Sequence, residues 1–232
     1  MNEVAEQVHV ERSAESSAPA SRRHARAPSA PWPQIVRVSA NLVGAIGAAY
    51  FVRATWQFYQ QTHRLIGAVF LVEQTWIVVA YLVRRAARAV TRRPADWLLA
   101  FAGTFGGVLF RPVVTHPSWG MGVGLALQLV GLALCIVSFL SLGRSFGFAA
   151  ADRGLVSRGA YTVVRHPVYA SYVVLHLGYV VQSTSWWNVL VMLFVIGCNI
   201  GRALAEERVL ATNAAFDAYR HRVRYRLVPG VW

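Results

Sequence analysis

Lysine is absent from this chain, and acids are scarce: ten Asp and Glu stand against 23 basic residues, every one an Arg. Only 14% of the residues are charged, well below the roughly 25% of soluble domains, which argues against a mainly solvated surface. A net charge of +13 serves nucleic-acid binding when it lies on a soluble scaffold. Here the arginines sit between long apolar runs, so topology accounts for them and no nucleic-acid partner is expected. The two cysteines, Cys135 and Cys198, each fall inside an apolar run without a CxxC partner, which argues against a disulfide framework and a zinc site. His63 and His116 form no metal spacing with anything else. No apolar h-region of a cleavable signal occurs in residues 1–33. Dinucleotide, P-loop and HExxH motifs are missing, as is GxSxG.

What the chain has in abundance is apolar sequence, 56% of all residues. Six segments read as helices: Ile35–Val52, Leu65–Val83, Trp97–Val114, Gly120–Leu142, Val168–Ser183 and Trp186–Leu204. Most reach the roughly 17–25 residues needed to cross a bilayer. The fifth is short, and "STSWW" barely separates it from the sixth, so the last two form a tight hairpin. Arginines crowd the N-terminal tail, the loop after the second segment, the loop after the fourth and the C-terminal segment. Only Arg53, Arg64 and Arg111 fall in the alternate loops. The positive-inside rule then puts both termini in the cytoplasm. Six of the eight tryptophans lie near segment ends, as an aromatic belt predicts. The fold class read from this pattern is all-α, a polytopic membrane protein of about six spans. It divides into a disordered basic tail (1–33), N-terminal transmembrane helices (34–117) and a core (118–232). Glu73, in the second span, needs a partner in lipid, and Arg37 is a plausible one.

Three polar stretches interrupt the cytoplasmic side. In "ADRGLVSRGAYTVVRHPVYASY", Gly154 and Gly159 follow arginines, and glycine lets a ligand approach backbone. Pro167 suits the first turn of the fifth helix, whose N-terminus would present free N–H groups to an anion, beside Tyr161, His166 and Tyr169. Snorkelling anchors are the competing explanation. In "NIGRALAEERVL", Asn199, Arg202 and Glu206 share one helix face. There a plain Arg202–Glu206 ion pair competes with a functional carboxylate. The tail "AFDAYRHRVRYRLVPGVW" reads as a surface-docking segment, and His176 as a hydrogen-bonded core histidine.

Residues 142–232, about 40% of the chain, resemble the isoprenylcysteine carboxyl methyltransferase family of integral membrane methyltransferases. The likeness is carried by G-x-Y-x-x-x-R-H-P-x-Y, by R-x-x-x-E-E some 35 residues later, and by the terminal "RYRLVPGVW". It implies a cytoplasmic pocket for S-adenosyl-L-methionine, closed by the loop and the C-terminal segment. Arg153, Gly154, Leu155, Val156 and Tyr161 would line the cofactor, continued by His166, Pro167, Val168 and Tyr169, with Glu206 as its carboxylate partner. Arg202 matches the arginine that meets the acceptor, and is the catalytic candidate. No metal is implied.

The function expected is therefore methyl transfer from S-adenosyl-L-methionine to the carboxylate, thiol or amine of a lipophilic small molecule, isoprenoid or lipid. The all-Arg composition points to a GC-rich bacterial genome, and so to the inner membrane, surrounded by membrane lipids. Two alternatives remain: a membrane NADPH-dependent sterol or isoprenoid reductase, and a non-enzymatic membrane protein.

Overall fold

The computed structural model describes residues 65–113 and 118–232, with scattered positions between Leu42 and Gln60 that are all helical. Expectations for the tail, most of the first span, His63, His116, and the side chains of Arg37 and Glu73 lie outside the described residues. Six helices follow: α1 (Leu65–Val83), α2 (Pro94–Phe105), α3 (Ser118–Leu142), α4 (Pro167–Gln182), α5 (Trp186–Leu210) and α6 (Ala214–Arg222). Their starts obey local rules. Pro opens α2 and α4 at the position where its missing N–H costs nothing. Ser185 and Asn213 cap α5 and α6 through side-chain oxygens that accept from Asn188 N and Ala215 N. Arg220, His221 and Arg222 sit where the dipole of α6 is negative.

α3 and α5 are long and apolar enough to cross a membrane, with stretches of mean hydropathy 2.4 and 1.8. At 25 residues each, they extend about 37 Å. Val123, Val130, Leu134 and Val137 on α3, with Leu190, Leu193 and Phe194 on α5, are all at least 44% exposed. An outward apolar face this continuous is costly in water and ordinary in lipid.

The third segment departs from expectation. Its α-helix has 12 residues, about 18 Å, and gives way at Gly106-Gly107 to a 3-10 turn ending at Leu109. Pro112 precludes a helical continuation. α5 instead runs past Leu204 to Leu210, because "AEERVL" is made largely of good helix formers although its hydropathy falls. The all-α reading also needs a small amendment. Ala89–Val90 (β1) and Ala151–Asp152 (β2) pair antiparallel, Ala89 opposite Asp152. Flanking bonds from Arg85 N to Arg144 O (2.6 Å) and Thr91 N to Ala150 O (3.0 Å) extend the contact. The two long connections, after α1 and after α3, thereby satisfy each other's backbone groups.

α3 and α4 are packed backbone to backbone. A Cβ on Gly178 would stand 2.7 Å from Gly124 O, and one on Gly131 2.8 Å from Leu175 N. Small residues permit such a crossing, and Gln182 donates to the fully buried Gln128 across it at 2.7 Å. At the hairpin turn, Asn188 closes a ring of bonds. Its amide donates to Arg111 O (2.8 Å) and Ser183 O (2.7 Å), and its oxygen accepts from Arg111 N (3.0 Å). The Arg111 guanidinium lies 4.5 Å over the Trp187 ring. At His176 the expected hydrogen bond is not made by Nδ1. The ring sits against Phe110 and Tyr172, and its buried Nδ1 has no hydrogen-bond partner among the described residues.

Candidate functional site

One cavity gathers the polar stretches picked out in the sequence. The empty space in it is about 890 Å³ when the solvent at its open mouth is counted. The loop after α3 supplies Arg153, Gly154, Leu155, Val156 and Tyr161 to the wall. The start of α4 adds His166, Val168 and Tyr169, and α5 adds Arg202 and Glu206. Pro167 is the exception: it is buried at the first turn of α4 and does not line the cavity. The cavity also takes in Leu142, Ser145, Phe146, Gly147, Tyr172, and Phe216 and Tyr219 of α6. Tyr172, Phe216 and Tyr219 lie within stretches picked out in the sequence, whereas no motif marks the residues between Leu142 and Gly147, which tertiary contact alone brings here.

The loop is held from several sides. Asp152 Oδ1 accepts from Gly154 N at 2.8 Å, and Gly154 takes φ +97°, open to glycine at no steric cost. The Arg153 side chain lies against Gly147, where any Cβ would overlap its guanidinium. Burial lowers the Arg153 pKa to about 10, with Arg84 adding like-charge repulsion and Glu206 opposing it. Its Nε is buried with no hydrogen-bond partner among the described residues. Below it, Tyr219 of α6 donates to Tyr161 O at 2.8 Å. Burial, reinforced by the charge of Glu206, holds the Tyr161 hydroxyl well above its usual range and therefore protonated. Phe216, Tyr219 and Val223 pack with Leu155 and Leu210, so α6 fastens the loop to the end of α5.

The two consecutive glutamates of α5 face different ways. Tyr169 donates its hydroxyl proton to Glu206 Oε1, and His166 Nδ1 lies 3.6 Å from Glu206 Oε2. Glu207 is gripped by His166 Nε2 (3.2 Å) and Arg226 Nη2 (3.1 Å), and Arg165 Nε stands 3.1 Å away as a charge contact without a hydrogen bond. The C-terminal segment, read from the sequence as a membrane-surface docking stretch, is also tied into the site. Its Tyr225 and Arg226 carbonyls accept from Arg165 N and His166 N, both at 2.9 Å. Arg226 also lies 4.9 Å over the Trp232 ring, and Leu227 packs on Tyr169 and Ala203.

Arg202 overturns the simple ion-pair reading. Its guanidinium donates to Thr104 Oγ1 (3.2 Å), Asn199 Oδ1 (3.3 Å) and Phe148 O (3.0 Å), and lies 5.2 Å over the Tyr169 ring. Helical spacing puts Arg202 near Glu206, yet the carboxylate is already engaged by Tyr169 and His166. Among the described residues no carboxylate forms an ion pair with Arg202, although it is only 7% exposed. Thr104 belongs to α2, which approaches α5 closely because Gly103 carries no Cβ to meet Asn199. The cavity therefore presents one carboxylate and two guanidinium groups, Arg153 and Arg202, with no ion-pair partner among the described residues.

Residues 119–213 match the family model for phospholipid methyltransferases. The matched stretch holds α3, the loop, α4 and α5, and so most of the cavity wall, and it overlaps the segment that carries the resemblance noted in the sequence. A phospholipid methyltransferase match indicates a membrane methyltransferase, in keeping with two helices long enough to span a bilayer. No curated protein matches the chain.

Proposed function

We propose that the chain is a multi-pass methyltransferase of the inner membrane. It draws on S-adenosyl-L-methionine and transfers to a lipophilic acceptor, with both termini and the cavity on the cytoplasmic side. The observation that carries this reading is the donor set of the cavity. A zwitterionic cofactor with a sulfonium needs an anion for its positive end, a cation for its carboxylate and a dry wall for its ring. Glu206 supplies the first. Arg153, with an unpartnered buried Nε, supplies the second. His166 and Tyr169, stacked with centroids 5.8 Å apart, offer the third.

S-adenosyl-L-methionine brings an electrophilic methyl on sulfur, so no covalent enzyme intermediate is required. The chain's own work is positioning and exclusion of water. Arg202 orients the acceptor's anionic or polar head, and its three neutral hydrogen-bond partners leave its charge available for that. A thiol or ammonium acceptor would in addition have to lose a proton, whereas a carboxylate would not.

Incubating the purified protein with methyl-labelled cofactor and a bacterial lipid extract tests the reading. Label appearing in an organic-soluble product supports it. Binding of NADPH without binding of S-adenosyl-L-methionine would replace it with the reductase alternative.

A further inference from the structure

Glu207 does not line the cavity, yet it is the most heavily bonded carboxylate near it. Its Oε1 meets His166 Nε2 at 3.2 Å and Arg165 Nε at 3.1 Å. Arg226 Nε reaches both of its oxygens at 3.1 Å. The other nitrogen of the same imidazole faces Glu206 Oε2 at 3.6 Å. A buried ring with a carboxylate before each nitrogen is consistent with only one comfortable state. A neutral imidazole carries a proton on one nitrogen and a lone pair on the other, and that lone pair would point at an anion. The doubly protonated ring suits both carboxylates, through a hydrogen bond to Glu207 at 3.2 Å and through charge to Glu206 at 3.6 Å. Its backbone is fixed as well, since His166 N donates to Arg226 O at 2.9 Å.

We propose that Glu207 is a positioning residue that acts on the cavity through His166, holding the ring as an imidazolium whose Nδ1–H steadies Glu206. The proposal rests on the reading of the cavity as a cofactor site. The charged and titratable groups around the ring are Glu206 and Glu207 from α5, Tyr169 from α4, Arg165 beside it and Arg226 from the C-terminal segment. Tyr161 and Tyr219 stand behind them. Burial by itself pulls the His166 pKa down, but the two carboxylates outweigh it and raise it above 6.5. Without the Glu207 charge, Arg165 and Arg226 would face the ring uncompensated and drive its proton off. Glu206 would then keep the Tyr169 hydroxyl as its donor but lose the facing positive charge that fixes its orientation.

Imidazole nitrogen NMR on histidine-labelled protein in detergent reads the ring's protonation with no cofactor present, the signal being assigned by its loss in His166→Gln. The wild-type ring should titrate above pH 6.5. In Glu207→Gln the midpoint should fall by about one unit or more, the usual effect of removing an opposite charge at this distance, while Glu207→Asp keeps most of the shift. A wild-type ring that titrates below pH 6.5, or a midpoint unmoved in Glu207→Gln, overturns the proposal.

Calorimetry with S-adenosyl-L-methionine across the same pH range supplies the second arm. Affinity should weaken by about tenfold as the ring loses its proton, the scale of one charge-assisted hydrogen bond, and at lower pH in Glu207→Gln. Affinity that rises on deprotonation would mean that bare charge outweighs orientation, and also overturns it. No binding at any pH, with the NMR shift intact, instead overturns the cofactor reading and leaves the Glu207–His166 coupling standing.

Discussion

Replacing Gly178 by alanine isolates the contact that seats α4, and with it one wall of the cavity, against α3. The added Cβ would lie 2.7 Å from Gly124 O and 2.9 Å from Gln128 N, both main-chain atoms of a helix, where real Cβ atoms keep at least 3.0 Å. Neither atom can rotate away, so the helices must part by a few tenths of an ångström and loosen the crossing along its length. Overpacking of this kind costs about 1–3 kcal/mol, against a gain of about 1 kcal/mol from replacing glycine in a helix. The steric term wins. Gly122 on α3 has nothing within 4 Å of its would-be Cβ, so Gly122→Ala collects the propensity gain alone. The two variants should differ by about 2 kcal/mol in unfolding free energy, read by chemical or thermal unfolding in one detergent. Equal stabilities would refute the close crossing.

Asn188→Ala removes three hydrogen bonds and strands the part-buried backbone groups of Arg111 and the buried carbonyl of Ser183. It should lower unfolding stability by about 3 kcal/mol; a loss under about 1 kcal/mol on a denaturant titration would deny the clamp its role. Arg202→Lys keeps the charge but cannot reach Thr104, Asn199 and Phe148 with one ammonium fork. Methyl transfer should drop about tenfold or more, with cofactor affinity unchanged; equal rates would remove Arg202 from acceptor handling. His166 gives stability a pH dependence. Its folded pKa lies above 6.5, so its contribution is fully present below about pH 6.5 and is lost as pH rises through the folded value. Wild type should therefore lose its stability advantage over His166→Gln as pH rises from about 6.5, and a gap that does not shrink with rising pH would contradict the imidazolium.

Much of the architecture could be read from apolar runs and their boundaries. Leu65–Val83 and the start at Trp186 followed from hydropathy, and the fifth helix began at Pro167 because proline tolerates only a helix's first turn. The third segment misled because hydropathy does not register what Gly106-Gly107 and Pro112 do to backbone geometry. The site divides in the same way. The stretches around Arg153, His166 and Glu206 stood out as polar groups at a membrane edge. The partners of Arg202 did not, because helical spacing states which residues are neighbours and not which of them is already engaged. Thr104, Phe148 and Tyr219 lie far along the chain from the residues they hold, and only tertiary packing brings them in.

Calorimetric titration of S-adenosyl-L-methionine into wild type and Glu206→Gln tests the central claim most directly. Glutamine keeps the size and can still accept from Tyr169, so the fold should hold while only the charge is lost. The account predicts binding to wild type and an affinity at least about tenfold weaker in the variant, at an unchanged unfolding temperature. Equal affinity in both proteins would contradict it.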